Sequence, residues 1–313
     1  MRKQEKLTIM MPAYNEGSGI RNALKVIDSI MKKNFLDYEF LIIDDGSSDD
    51  TWANLLSCRA KYPLRAVKLS RNFGKEAAIR AGLEKVRTSM VVLLDSDLQH
   101  PPVIIPEMIE VMARDNADVV DGIRDDRGKE SFFNRIVAGC FYRIFSCLTG
   151  IDLQKASDFK LMNRKAIDAY LSLHEKALFF RGMSAWIGYK RSQVIFKTDD
   201  RIAGHSKWST KALFRLAKNA IVSFSTSLLH LPMIFGVVFC FISLFVSAES
   251  IFRKLYGHSI EGFPTIIVLL GLVGGLILIS LGVIGEYLAK IYEEVKMRPV
   301  YLVGEEISND KKK

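Results

Sequence analysis

From Leu7 to about Asp121, short apolar runs alternate with longer segments whose apolar residues recur at helical spacing. The runs LTIMM (7–11), YEFLIID (38–44), RAVKLS (65–70), MVVLLD (90–95) and ADVVDG (117–122) read as strands. Helical patterns fall near 18–32, 50–60, 75–86 and 103–114. Strand and helix in regular succession predict an α/β fold with a mostly parallel sheet, because strands apolar throughout need helices over both faces. Such sheets bind ligands beyond the carboxyl ends of their strands. Polar clusters stand at those ends: PAYNE after the first strand, DDGSSDDT after the second, SRNFGK after the third and DSDLQHPP after the fourth.

The pattern then changes. Residues 132–148 (FFNRIVAGCFYRIFSCL) and 209–229 mix bulky apolar groups with Arg and Lys at helical spacing. Such amphipathic helices lie in a membrane interface or pack on the sheet or another subunit. Leu228–Val246 and Thr265–Ile284 are nearly free of charge and about as long as a bilayer core is thick, so they read as two membrane spans rather than core helices. The domains expected are a cytoplasmic α/β domain over 1–208, a juxtamembrane amphipathic helix over 209–227, a two-helix transmembrane hairpin over 228–284 and a cytoplasmic segment over 285–313.

Composition agrees with that division. The chain has 313 residues, 49% of them hydrophobic, and the two spans account for the excess over a soluble enzyme. The net charge is +9, and basic residues cluster beside the spans. Arg201, Lys207, Lys211, Arg215 and Lys218 precede the first span, and Lys290, Lys296, Arg298 and Lys311–Lys313 follow the second. The connecting loop has only Arg253 and Lys254, balanced by Glu249 and Glu261. This asymmetry places both termini in the cytoplasm and the chain in the cytoplasmic (inner) membrane. The apolar patch at the N-terminus is short, contains Pro12 and runs into Asn15 and Glu16, so it reads as a strand rather than a signal peptide. Cys58, Cys140, Cys147 and Cys240 lack metal-ligand spacing and read as reduced thiols. No nucleic-acid partner is expected.

Asp95 and Asp97 end a buried strand in two like charges that would repel if isolated. A divalent cation removes the conflict, and carboxylate oxygens suit Mg2+ or Mn2+, which in turn bridge phosphate oxygens. The strand end is therefore read as half of a metal site, completed by a substrate pyrophosphate; the alternative is a solvated strand terminus. Asp44 and Asp45, followed by Gly46, Ser47 and Ser48, form a turn suited to a ribose or base, and Ser48 or Asp49 is placed to cap the next helix. Neither a P-loop nor a dinucleotide fingerprint occurs at these turns.

PAYNE, DDGSSDDT, RNFGK, DSDLQHPP, SDF (157–159) and RIAGHSKWS (201–209) occur in an order that resembles family 2 inverting glycosyltransferases, and more narrowly the polyisoprenyl-phosphate hexosyltransferases. The resemblance extends to the C-terminal spans and implies a nucleotide-sugar-binding domain of GT-A type. It implies nucleotide-sugar contacts for Pro12, Tyr14, Glu16, Asp45, Asp95 and Ser96, and metal ligands in Asp97 and Gln99. It implies cationic or hydroxyl contacts to the donor and lipid phosphates for Arg124, Arg135, Arg201, Ser206 and Lys207. Where relatives often carry a serine one turn after Arg135, this chain has Gly139. Asp158 matches the carboxylate base of the class. A phosphate nucleophile with a second pKa of about 6 is already largely ionised, so Asp158 is expected to orient acceptor or sugar more than to remove a proton.

The implied reaction is transfer of a hexose, with inversion, to a polyprenyl phosphate such as undecaprenyl phosphate. The nearest resemblance favours UDP-glucose as donor, with UDP-galactose, UDP-N-acetylglucosamine and GDP-mannose open. A tetramer is compatible with the amphipathic stretches. A processive polysaccharide synthase is disfavoured because residues 181–191 lack Gln-x-x-Arg-Trp, and a silent membrane scaffold because Asp95, Asp97, Asp158 and Lys207 are all present.

Overall fold

The computed structural model describes residues 6–34, 36–125, 146, 157–176, 178–196, 231–256 and 263–308. Two compact units result, one formed by residues 1–207 with 298–313 and the other by 208–297.

The first unit is built on an eight-stranded sheet of order β7-β5-β6-β4-β1-β2-β3-β8. Its strands are β1 (Leu7–Ala13), β2 (Tyr38–Asp44), β3 (Leu64–Leu69), β4 (Met90–Leu93), β5 (Val119–Arg124), β6 (Lys160–Asn163), β7 (Arg191–Phe196) and β8 (Val303–Ile307). The β1–β2, β1–β4, β2–β3 and β5–β7 pairs are parallel, while β6 runs antiparallel between β4 and β5, and β8 antiparallel to β3. Every residue of β1 is buried, as befits a central strand covered on both faces.

Helices α1 (Gly19–Lys33), α2 (Thr51–Cys58), α3 (Lys75–Lys85) and α4 (Ile105–Asp115) alternate with the first five strands, with a 3-10 turn at Pro102–Ile104 before α4. In α1, Ile20, Ala23, Leu24, Ile27 and Met31 form the buried stripe. Covering each large side chain stabilises the unit by roughly 1.5–3 kcal/mol. After β6 come α5 (Arg164–Leu171) and α6 (Phe180–Trp186). The Asn163 side chain caps α5 by accepting the Ala166 N–H at 2.9 Å.

The alternation expected over residues 7–121 holds through β5, and β6, beyond it, enters the sheet antiparallel between β4 and β5. Register sets Asp121 of β5 opposite Lys160 of β6, both fully buried, with 3.4 Å between Nζ and Oδ1. Arg191 of β7 donates to the other oxygen of Asp121 at 2.7 Å. A buried lysine is tolerated only with such partners. Burial nevertheless pulls Lys160 down to about 8, against the attraction of Asp121.

The second unit contains α7 (Leu231–Leu255) and α8 (Phe263–Val295). Within α8, Leu269–Val295 is long and apolar enough to cross a membrane, and its apolar side chains lie largely exposed. It is the one such helix among the described residues. The apolar part of α7 is the shorter Pro232–Val246, and 228–230, where the first span was expected to begin, lie outside the described residues. The amphipathic stretches also fall outside them: 209–227 entirely, and 132–148 apart from residue 146.

Candidate active site

Strand order reverses direction at β1, whose neighbours are β2 on one side and β4 on the other. The crevice beyond such a switch point is where open α/β sheets take their ligands. Here the turns after β1 and β2 are stitched together. The Asn15 N–H donates to Ser47 Oγ at 2.9 Å, and Asn15 Oδ1 accepts from the Ser48 N–H at 3.0 Å. The Thr51 hydroxyl accepts from the N–H groups of Glu16 and Gly17, both at 2.9 Å. Asp49 accepts the Thr51 N–H at 3.0 Å and thereby satisfies the first amide of α2.

Gly46 lies between the two aspartates and the serines with φ +67°, and a Cβ there would sit 2.3 Å from the carbonyl carbon of Arg71. Only glycine fits that approach. The contact brings the RNFGK turn under Asp45, whose oxygens accept the N–H groups of Phe73 at 2.7 Å and Gly74 at 2.8 Å. Burial raises the Asp45 carboxyl above its ordinary value in spite of those two bonds.

These turns and the end of β4 surround a cavity of about 310 Å³. Pro12, Tyr14, Glu16, Asp45, Asp95 and Ser96, the residues expected at the donor, all line it, and so does Asp97. Tyr14 is exposed, so its ring is available to a planar ligand. Burial raises the Glu16 carboxyl; a hydrogen bond with Ser96 opposes the rise, and the charges of Asp97, Asp95 and Asp49 add to it.

Four carboxylates, those of Glu16, Asp45, Asp95 and Asp97, in one cavity favour a cation. Asp97 is exposed, and its Oδ1 accepts the Gln99 N–H at 3.0 Å. Gln99 is also exposed but lies outside the cavity lining. Among the described residues, no three His, Cys, Asp or Glu side chains converge closely enough to hold a metal ion. The all-oxygen donors fit a hard cation such as Mg2+ or Mn2+, as part of a site and not as a complete one.

Sequence reasoning passed over Lys75 as a site residue. Its Nζ lies 2.6 Å from Asp95 Oδ1 and 3.4 Å from Asp158 Oδ2, bridging the cavity wall to the approach to β6. Burial lowers the Lys75 pKa, but the two carboxylates more than reverse that and hold it raised. Arg181, on α6, grips Asp158 with a fork: Nε to Oδ1 at 3.2 Å and Nη2 to Oδ2 at 3.0 Å. For Asp158, burial works upward, yet Arg181 and Lys75 hold the carboxyl down at about 2. His100 packs against Phe159 and Phe196, with Nδ1 3.8 Å from Asp95 Oδ2, and burial lowers its pKa. Arg124 stands exposed at the end of β5, away from the cavity lining. Arg135, Arg201, Ser206 and Lys207 lie outside the described residues.

Comparison with known proteins gives a consistent set of matches. Residues 8–171 match the family model for glycosyl transferase family 2. A putative glycosyltransferase of Bacillus subtilis, CsbB, is 36% identical over 310 residues, covering 97% of this chain and 92% of the relative. The bactoprenol glucosyl transferase of Shigella phage SfV is 33% identical over 304 residues, covering 96% of this chain and 99% of the relative. Among solved structures, glucosyl-3-phosphoglycerate synthase from Mycobacterium tuberculosis, in complex with Mn2+, UDP and phosphoglyceric acid, is similar with a TM-score of 0.49 at 20% identity. That likeness covers 70% of this chain and 76% of the other.

Proposed function

The chain belongs to glycosyl transferase family 2 and is a glycosyltransferase; from that premise we propose that it transfers a hexose, with inversion, from a nucleoside diphosphate sugar to a polyprenyl phosphate at the cytoplasmic face of the membrane. The observation that carries this reading is the cavity at the switch point, in which Tyr14, Asp45, Asp95 and Asp97 converge in a chain that also contains a membrane-length apolar helix. Full-length similarity to a phage bactoprenol glucosyl transferase supports the lipid acceptor and favours glucose from UDP-glucose. UDP-galactose, UDP-N-acetylglucosamine and GDP-mannose are the other donors to test. In this reading α7 supplies a second span, both termini are cytoplasmic, and Arg124, Arg135, Arg201, Ser206 and Lys207 receive phosphates.

Tyr14 and Asp45 seat the nucleotide, and Asp95 faces the sugar. Asp97 and Gln99 hold Mg2+ or Mn2+, which when bound offsets charge on the departing diphosphate. A lipid-phosphate oxygen attacks the anomeric carbon as the bond to the diphosphate breaks, and the nucleoside diphosphate leaves from the opposite face. Catalysis by this chain is then positional and electrostatic.

Asp158, ionised throughout the working range, orients the acceptor. Asp158→Asn is expected to cost less than the roughly 10²–10⁴-fold that loss of a general base brings, measured as lipid-linked product at several pH values. Equal abolition by Asp158→Asn and Asp97→Asn at every pH would contradict this role. The reaction itself is tested by incubating the purified full chain with undecaprenyl phosphate, Mn2+ or Mg2+ and each UDP- or GDP-sugar in turn. Lipid-linked hexose from one donor is the expected result, and no product from any donor would favour a silent scaffold.

A further inference from the structure

Helix α6 is short, yet it is fixed to the sheet unit by two polar anchors. Its first N–H, that of Phe180, donates to Glu76 Oε2 at 2.7 Å, and Ser184 Oγ meets the buried Lys160 Nζ at 2.5 Å. Lys160 is in turn held by Asp121 and lies over the Phe180 ring, 4.8 Å from its centroid. Arg181 leaves the helix between these anchors and reaches Asp158 through both fork nitrogens. Two anchors on one short helix make the guanidinium a fixed donor pair rather than a mobile surface charge.

We propose that Arg181 is a positioning residue for glycosyl transfer: α6 presents its guanidinium to lock the orientation and the ionised form of the Asp158 carboxylate. The role rests on the acceptor-orienting function given to Asp158 above. Asp158 thus stands between two cations in a row of alternating charge that runs Asp95, Lys75, Asp158, Arg181 from the cavity wall to α6. Lys75 alone, 3.4 Å away and shared with Asp95, supplies charge without fixing the plane of the carboxylate.

The charged and titratable groups that act on Asp158 come from four elements: Arg181 from α6, Lys75 and Glu76 from α3, Lys160 from β6, and His100 from the turn after β4. Burial pushes Glu76 up to about 7, so it adds little negative charge below neutrality. Without Arg181, burial of Asp158 is opposed chiefly by Lys75, and its pKa must rise from about 2. The ordinary aspartate value is about 3.9.

The test uses the full chain with undecaprenyl phosphate and the donor that is turned over, between about pH 5 and 9. Arg181→Met is expected to lower kcat by more than about tenfold, the scale of a misplaced group at the reacting centre, and to leave the donor KM near that of the wild type. Arg181→Lys should recover part of the loss, and added guanidinium should partly rescue Arg181→Ala. A loss that neither Arg181→Lys nor added guanidinium recovers, or one that falls on donor KM as much as on kcat, would show a merely structural role and overturn the proposal. An arm independent of turnover is difference infrared spectroscopy during acid titration. Arg181→Met should show a protonated-carboxyl band emerging at higher pH than in wild type, absent from the Arg181→Met, Asp158→Asn double variant. A band unchanged from wild type would also overturn it. Failure of the wild type to make product, with the infrared shift present, would instead count against the proposed reaction.

Discussion

Replacing Asp97 with asparagine is expected to reduce glycosyl transfer by about 10²–10³-fold, the scale of losing one electrostatic stabiliser of the transition state. The substitution keeps size and one oxygen but removes the negative charge from an exposed carboxylate at the cavity that also contains Glu16 and Asp95. Asp95 is an unsuitable substitute because Lys75 already engages it at 2.6 Å. Donor affinity should fall together with kcat, since the same oxygens would hold the diphosphate in ground and transition states. Steady-state kinetics over a range of Mn2+ concentrations reads both; retention of wild-type kcat at saturating Mn2+ would contradict the assignment.

The second large effect is structural. Gly46→Ala would set a methyl group 2.3 Å from the backbone of Arg71, at a residue whose φ is +67°. Backbone cannot swing aside as a side-chain tip does, so the DDGS and RNFGK turns must separate. The positive φ alone costs about 1–3 kcal/mol, to which the clash adds. Separation also removes the N–H donors of Phe73 and Gly74 from Asp45, loosening the wall on which the nucleotide is proposed to sit. Thermal unfolding should therefore begin several degrees lower, with weakened UDP binding. An unfolding midpoint equal to wild type would mean that the turns separate without cost, contrary to this packing.

The first half of the catalytic unit was legible because its strands obey a simple rule. LTIMM and YEFLIID are apolar but for Thr8, Glu39 and the terminal Asp44, and each run leads into a polar cluster at the strand end. The convergence of Tyr14, Asp45 and Asp95 could be read for the same reason: each follows a different strand, and parallel strands bring those ends to one edge of the sheet. β6 was not legible. Its four residues, KLMN, begin with a lysine, and only the facing Asp121 makes that lysine a core residue. β8 was hidden because VGEEI joins the sheet edge far along the chain, where Glu305 accepts from Trp52 and Glu306 pairs with Lys85. Arg181 escaped notice because nothing in RGMSAW signals a carboxylate partner; long-range folding alone brings it to Asp158. Lys75 lies inside a motif that had been recognised, but spacing could not show that its amine bridges Asp95 and Asp158.

In the proposed mechanism Asp97 and a donor diphosphate together hold on the protein a cation that the chain does not hold alone. Electron paramagnetic resonance of Mn2+ titrated into the purified full chain, with and without UDP, measures this directly. Beyond what UDP binds in a protein-free sample, stoichiometric Mn2+ uptake by the chain is expected only when UDP is present, lost in Asp97→Asn and matched by loss of UDP binding on chelation. UDP bound with undiminished affinity in excess chelator would contradict it.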